Sequence, residues 1–190
     1  PNVEVTSVTS ERLSGLLISD TFLHFRSTSL KFESLDIKTL TKKADLFFLC
    51  LPHKTSKETV AFLYNAGKKV IDLSADYRLK SAEVYKEWYK IPHLYSPLLK
   101  KAVYGLPEIY RKKIKNASII ANPGCYPTSA ILGIAPIIGE DFINTNSIIV
   151  DSKSGTSGAG RSPAHPFMFC EVNESVKAYA VTVHRHTPEI

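Results

Sequence analysis

Alternation of apolar runs with helix-like segments is the feature that most restricts the fold of this chain. Residues 44–51 (ADLFFLCL) form an almost continuous apolar run, as expected of a strand buried on both faces of a sheet. A helix-like segment follows over residues 54–66, and Gly67 is a suitable stop for it. The same reasoning predicts further strands at residues 3–8, 69–73 and 117–121 and further helices at residues 81–89 and 107–115. This order predicts a parallel sheet covered by helices.

The pattern changes after about Gly139, where residues 144–154 and 178–183 predict strands on either side of a Gly/Ser-rich loop. The G-x-G-x-x-G fingerprint of dinucleotide-binding sheets is absent, so the first βα unit of such a sheet is expected before residue 1. We therefore expect an α/β fold, truncated at both ends. Residues 1–123 would form an incomplete doubly wound, Rossmann-like parallel sheet, and residues 124–190 the first part of an α+β catalytic and oligomerisation domain.

Composition excludes several classes of protein. With 44% hydrophobic residues the chain can bury a sizeable core, and its net charge of +6 suits anionic small molecules better than nucleic acid. No apolar stretch reaches the roughly 18 residues of a membrane span. The three cysteines include no CxxC pair, which indicates a reducing, cytoplasmic location rather than a disulfide framework.

Cys125 is the residue with the clearest chemical signature. It follows a predicted buried strand and a Pro-Gly turn, and it lies at the start of an apolar helix predicted over residues 128–138. Unpaired backbone N–H groups and the positive end of the helix dipole favour its thiolate form, and the same groups can hold an oxyanion. The alternative is a structural cysteine, which is what Cys50 in its apolar run and Cys170 are expected to be.

A second polar segment begins at His184. His184 and His186 point the same way on an extended segment, and the Glu189 carboxylate is placed to accept the ring N–H of His186. Two surface histidines are the alternative. A metal pair is not expected, because the segment offers no third ligand.

The third polar segment is the Gly/Ser-rich stretch over residues 151–161. Its glycines allow close approach of the backbone to a ligand, and Lys153 and Arg161 are suited to a phosphate or a carboxylate. A flexible hinge is the alternative.

Together these segments resemble the N-acetyl-gamma-glutamyl-phosphate reductase family, within the wider aspartate-semialdehyde-dehydrogenase-like group. The matching motifs span nearly the whole chain in the family's order: LPH (51–53), DLSADYR (72–78), YGLPE (104–108), NPGCYPT (122–128), SGTSGAGR (154–161) and HRHTPEI (184–190).

The resemblance implies roles for residues in four of these motifs, and none for DLSADYR (72–78) and YGLPE (104–108). Cys125 would be the nucleophile and His186 the acid/base with Glu189 in support, while His184 competes for that role or contacts substrate. The resemblance places Leu51, Pro52, Ser157, Gly158 and Ala159 against NADP. Charge, rather than the resemblance, assigns Ser10 and Arg12, just after the predicted first strand, to the ribose 2′-phosphate, and Lys153 and Arg161 to the substrate.

The implied activity belongs to arginine biosynthesis. It is the NADPH-dependent reduction of N-acetyl-glutamyl 5-phosphate to the 5-semialdehyde through a cysteine thioester, carried out by a homo-oligomer when full length. Alternatives are an aminoadipyl-phosphate reductase of lysine biosynthesis, a cysteine acyltransferase or hydrolase without a nicotinamide, and a non-catalytic assembly module.

Overall fold

The chain folds into parallel strands with helices between them. The computed structural model describes residues 2–141 and 143–190. The strands are β1 (Val8–Thr9), β2 (Phe32–Glu33), β3 (Leu46–Leu49), β4 (Lys69–Asp72), β5 (Val103–Tyr104) and β6 (Ile119–Ala121). The α-helices are α1 (Ile18–Thr21), α2 (Ile37–Leu40), α3 (Ser56–Asn65), α4 (Ala82–Tyr89), α5 (Ser96–Leu99), α6 (Pro107–Lys115), α7 (Cys125–Ile134) and α8 (Phe169–Val172).

The larger sheet is fully parallel. Its strand order is β3-β4-β6-β5, and β1 and β2 pair in a separate parallel sheet. The register of the larger sheet pairs Leu46 with Lys69 and Val70 with Ile119. The prediction of an α/β fold with a parallel sheet is therefore confirmed, and the carboxyl ends of four strands meet at one edge.

The core lies where α3 packs on the two central strands. Val60 and Leu63 of α3, Val70 of β4 and Ile119 of β6 are each 0% exposed. Burial of each such side chain contributes about 1.5–3 kcal/mol relative to exposure. This core holds the central strands rigidly beneath the sheet edge.

Local sequence signals explain the ends of two helices. The Ser81 hydroxyl accepts a hydrogen bond from the Val84 N–H at 3.2 Å and starts α4, which ends at Lys90 in a left-handed conformation with φ of 60°. Pro107 opens α6, because a first-turn residue needs no N–H. Both helices have the bounds that the sequence predicts.

The prediction that β3 is buried on both faces is wrong. Leu46 is 37% and Phe48 is 63% exposed, whereas Leu49 on the opposite face is 7% exposed. The reason is that β3 is an edge strand of the sheet. In the described part of the chain, no helix covers the face that carries Leu46 and Phe48. Cys50, expected in the core, follows this strand and is exposed.

The two strands predicted near the C-terminus are also wrong. Residues 144–154 contain a short 3₁₀ turn, Thr145–Ser147, and residues 178–183 are irregular, with a turn at 181–183. Ile149 is 91% and Val181 is 68% exposed. A strand forms only where a neighbour satisfies its backbone groups, and no described segment pairs with either run. No helix among residues 2–141 and 143–190 is long and apolar enough to cross a membrane.

Candidate active site

Three polar turns meet at the carboxyl edge of the larger sheet. They follow β3, β4 and β6 and cover residues 51–53, 73–78 and 122–124. The Ala75 N–H donates to His53 Nδ1 at 3.1 Å, and Arg78 Nε donates to the Asn122 carbonyl oxygen at 2.7 Å. The turns therefore form one connected surface.

Cys125 is the first residue of α7, three positions earlier than the predicted helix start. Gly124 is the residue before the helix, with an extended backbone (φ −68°, ψ 160°), and Cys125 is exposed. The N–H groups of Cys125 and Tyr126 occupy the first helical positions, which have no acceptor within the helix. A sulfur atom placed here is accessible and faces the positive end of the helix dipole.

The His186 ring packs directly on the residue before Cys125. A Cβ atom added to Gly124 would lie 2.5 Å from His186 Nε2, so a side chain at this position would displace the ring. The ring centroids of His186 and Tyr126 are 5.8 Å apart, at an interplanar angle of 79°. His186 therefore lies beside the first turn of the helix that begins with Cys125.

Glu189 lies at the same place but forms no side-chain hydrogen bond with the His186 ring among the described residues. One carboxylate oxygen accepts hydrogen bonds from the Gly124 N–H and the Tyr104 hydroxyl, both at 2.7 Å. The other accepts from Arg78 at 3.2 Å, in an ion pair whose side chains are 2% (Glu189) and 5% (Arg78) exposed. His186 Nδ1 is buried with no hydrogen-bond partner among the described residues. The predicted Glu189–His186 hydrogen bond is therefore wrong: the carboxylate is oriented toward Gly124, Tyr104 and Arg78 instead.

Glu189 instead fixes the backbone that leads into Cys125. Burial, followed by the hydrogen bond to Glu189, raises the pKa of Tyr104, so this phenol stays a donor. Arg78 donates its remaining hydrogen bonds to the carbonyl oxygens of Asn122 and Leu73, at 2.7 and 3.0 Å. The turn at Gly124 is thus held by Arg78 and Tyr104, near the ends of β4 and β5, and by Glu189 of the C-terminal segment.

The two histidines differ in their surroundings. His184 Nδ1 accepts the His186 backbone N–H at 3.2 Å, and His184 Nε2 lies 3.3 Å from the Tyr179 hydroxyl. That hydroxyl donates to Tyr126 at 2.9 Å, and burial raises the pKa of Tyr179 to about 12. Because both ring nitrogens of His184 have partners, this geometry favours His186 as the acid/base.

Burial favours the neutral form of the His186 imidazole. It lowers the pKa of His186 below the ordinary 6.5, although the Glu189 charge acts in the opposite direction. Burial also lowers the pKa of His184, with Arg185 adding to the effect. No group of three or more His, Cys, Asp or Glu side chains within residues 2–141 and 143–190 is arranged to hold a metal ion.

The residues predicted to bind the cofactor near the N-terminus follow strand ends. Ser10 follows β1, where its hydroxyl accepts a hydrogen bond from the Leu13 N–H at 3.3 Å, and Arg12 is exposed two residues later. Leu51 is half-buried and Pro52 is exposed after β3. The exposed Arg12 guanidinium after β1 suits an anionic group of a nucleotide. Leu51 and Pro52 give an apolar surface at the carboxyl end of β3, where such folds bind ligands.

The Gly/Ser-rich loop is not brought to this site. Lys153 pairs with Asp151 at 2.6 Å in solvent, and the Arg161 guanidinium lies 5.0 Å from the Phe22 ring centroid. Ser157, Gly158 and Ala159 lie in an exposed 3₁₀ turn. Within the described part of the chain, no hydrogen bond, ion pair or ring contact joins residues 151–161 to Cys125.

Sequence reasoning missed several site residues. Arg78 and Tyr104 lie near the carboxyl ends of β4 and β5, and this position is the signal that could have found them. No local signal points to Tyr126 and Tyr179, which meet from positions 53 residues apart.

The fold and the site define a class: an α/β nucleotide-binding unit joined to a helix that begins with an accessible cysteine. The family model described as "Semialdehyde dehydrogenase, NAD binding domain" matches residues 1–117, and the one described as "Semialdehyde dehydrogenase, dimerisation domain" matches residues 125–190. The chain belongs to the semialdehyde dehydrogenase family, and the match supports a nicotinamide cofactor.

Curated relatives carry the name that the sequence motifs suggest. Proteins named N-acetyl-gamma-glutamyl-phosphate reductase are 55% identical in Desulfotalea psychrophila, 53% in Pelobacter propionicus and 46% in Acetivibrio thermocellus. Each alignment covers 100% of this chain and 55% of the relative. The chain therefore spans about half the length of the curated relatives it matches, and the resemblance inferred from its motifs is confirmed.

Proposed function

We propose that this chain is part of an enzyme that reduces N-acetyl-glutamyl 5-phosphate to N-acetyl-glutamate 5-semialdehyde with NADPH. The observation that carries the proposal is the His186 ring packed on Gly124, next to the exposed Cys125 at the start of α7. The names of the relatives support the substrate. They do not favour the aminoadipyl-phosphate, hydrolase or assembly-module alternatives.

Formation of a thioester is the first stage. Neutral His186 takes the proton of the Cys125 thiol, and the helix N-terminus stabilises the resulting thiolate. The sulfur attacks the acyl carbon, and phosphate leaves with the electron pair of the broken C–O bond. The N–H groups of Cys125 and Tyr126 are available to the oxyanion formed during attack.

Reduction and release follow on the same carbon. Ser10, Arg12, Leu51 and Pro52 would hold the cofactor, which when bound supplies the hydride that converts the thioester to a thiohemiacetal. Protonated His186 donates to the thiohemiacetal oxygen. In the collapse the O–H proton returns to the imidazole, and the C–S bonding pair returns to sulfur.

The other predicted ligand contacts are retained in this proposal. Contacts of Lys153 and Arg161 with substrate, and of residues 157–159 with cofactor, require the exposed loop to move to the sheet edge. His184 would contact substrate from beside His186. The dimerisation family model and the free, exposed cysteines support a homo-oligomer in a reducing compartment such as the cytoplasm.

The experiment is replacement of Cys125 by Ala in the full-length enzyme, followed by phosphate-dependent NADPH formation from the semialdehyde. We expect activity to fall about 10³-fold or more, because the covalent route is lost. Cys170→Ala is the matched control, since it removes another exposed thiol, in α8 and outside the residues assigned to the site, and should leave activity unchanged. Substantial activity in Cys125→Ala would contradict the mechanism.

A further inference from the structure

Two buried carboxylates lie beneath the site without a cation beside them. Asp72 ends β4 and Asp76 follows in the next turn, and each is 0% exposed. Ser56 at the start of α3 and Ser74 in the same turn connect them. No ion pair of the described residues includes either carboxylate.

The network has more oxygen–oxygen contacts than hydroxyl hydrogens. Ser56 Oγ lies 2.7 Å from Ser74 Oγ, 3.0 Å from Asp72 Oδ2 and 3.0 Å from Asp76 Oδ2, and Ser74 Oγ lies 2.9 Å from Asp72 Oδ2. With both carboxylates ionised, only the two serine hydrogens are available for these four contacts. Two contacts would then place lone pair against lone pair among fully buried side chains, which is costly.

One additional proton completes a directed chain. If Asp72 carries it, Asp72 donates to Ser74, Ser74 donates to Ser56, and Ser56 donates to Asp76. Three of the four contacts then carry a hydrogen, and a single negative charge remains in the pair. Two carboxylates that share a buried site typically divide their protons in this way.

The surrounding donors place the proton on Asp72 rather than on Asp76. Asp76 accepts from the backbone N–H groups of Lys54 and Ser56 at 2.7 and 3.1 Å, and from the Tyr85 hydroxyl at 2.8 Å. These donors stabilise a carboxylate anion. Asp72 accepts from one backbone N–H, that of Ser74, at 3.0 Å.

We propose that Asp72 is protonated at neutral pH and that the chain Asp72–Ser74–Ser56–Asp76 shares this proton to position the turn that carries Arg78. The turn runs from Asp72 to Arg78, whose guanidinium holds Glu189 and the Asn122 carbonyl beside the cysteine helix. Asp72 is thus a positioning residue that acts through Arg78. The inference does not depend on the proposed reaction.

The charges around the pair are consistent with this assignment. Burial is the largest cause of a raised pKa for Asp72. The hydrogen bonds from Ser74 and Ser56 act in the opposite direction, and the charge of Asp76 adds to the rise. The other titratable groups around the pair are Tyr77, Tyr85, Tyr89, His53 and His93, with the Lys57 ammonium over the Tyr85 ring. Burial lowers the pKa of His53 and of His93, so both imidazoles are neutral, and the Lys57 ammonium donates to the Pro92 carbonyl at 3.3 Å.

The first test is infrared spectroscopy of the full-length protein at neutral pH. We expect a carbonyl band of a protonated carboxylic acid that shifts in heavy water. The band should be absent from Asp72→Asn and present in Asp45→Asn, which alters an exposed carboxylate. Wild-type protein without such a band would overturn the proposal.

The second test compares unfolding of two isosteric variants. In Asp72→Asn, the amide hydrogens can donate to both serines, so all four contacts carry a hydrogen and the fold should be retained. In Asp76→Asn, the amide hydrogens face groups that already donate to Asp76, such as the Tyr85 hydroxyl and the Ser56 N–H. This variant should therefore unfold at a lower denaturant concentration than the wild type. An Asp72→Asn protein that fails to fold, or that is destabilised as much as Asp76→Asn, contradicts the proposal.

The pH dependence provides a readout that a merely structural role would not change. A raised folded-state pKa means that the folded state keeps a proton which the unfolded state releases above the ordinary 3.8. Wild-type stability then falls relative to Asp72→Asn as the pH rises. Between pH 3.8 and the raised pKa of folded Asp72, the folding constant of the wild type divided by that of Asp72→Asn should fall by up to about tenfold per pH unit. A flat ratio would show that Asp72 is ionised in the fold.

Discussion

Replacement of Glu189 by Gln tests the brace beside Cys125 directly. Gln keeps the shape of the side chain but removes its charge. Its amide oxygen can still accept from the Gly124 N–H and the Tyr104 hydroxyl, whereas its NH₂ group faces the Arg78 guanidinium, donor against donor. Arg78 is then a buried cation without a counter-charge.

The size of the effect follows from burial. The two side chains of the pair are only 5% and 2% exposed, so water cannot replace the lost carboxylate. Removal of one partner from such a pair costs about 3–5 kcal/mol. We expect the lower end, about 3 kcal/mol, because Arg78 keeps its hydrogen bonds to the carbonyl oxygens of Leu73 and Asn122.

The assay is urea unfolding of the full-length protein. Asp45→Asn is the control, because it breaks a 3.0 Å ion pair in which the Asp45 side chain is fully exposed, and its effect should be near zero. The double variant Arg78→Met/Glu189→Gln should be less destabilised than the sum of the single variants. A Glu189→Gln protein as stable as Asp45→Asn would refute the idea that the buried Arg78–Glu189 ion pair stabilises the fold.

Two further changes examine the histidines. Gly124→Ala places a Cβ 2.5 Å from His186 Nε2, so we expect kcat/KM to fall about 10²-fold without loss of the fold. Gly133→Ala is the control, because a Cβ there meets nothing within 4 Å, and it should leave activity intact. Equal activity of the two variants would contradict the proposed ring position. Burial lowers the pKa of His93, so below the ordinary 6.5 the unfolded chain binds a proton that the folded chain does not. The wild type should therefore lose stability relative to His93→Phe as the pH falls below 6.5, and a constant difference in unfolding free energy across that range would exclude the effect.

Local signals in the sequence predicted much of the sheet and its helices. The helix at residues 107–115 has its predicted bounds because Pro107 and the periodicity act within the segment. The position of Cys125 at a helix start was predictable for the same reason, since the Pro-Gly turn is adjacent. Features of this kind depend on few neighbours in space.

Features that depend on distant neighbours were not predictable. Glu189 pairs with Arg78 across 111 positions, and nothing near either residue specifies that contact. Residues 144–154 have the composition of a strand, but strand formation depends on a pairing partner that the described chain does not supply. The exposed face of β3 likewise reflects which elements cover it, which an apolar run alone does not reveal.

The Arg78–Glu189 pair also constrains how homologous modules can be recombined. Arg78 lies within residues 1–117 and Glu189 within residues 125–190, the two segments matched by separate family models. A chimaera joined between these segments would draw one half of the pair from each parent. Such hybrids should keep an ordered cysteine turn only when both parents supply the arginine and the carboxylate in matching positions.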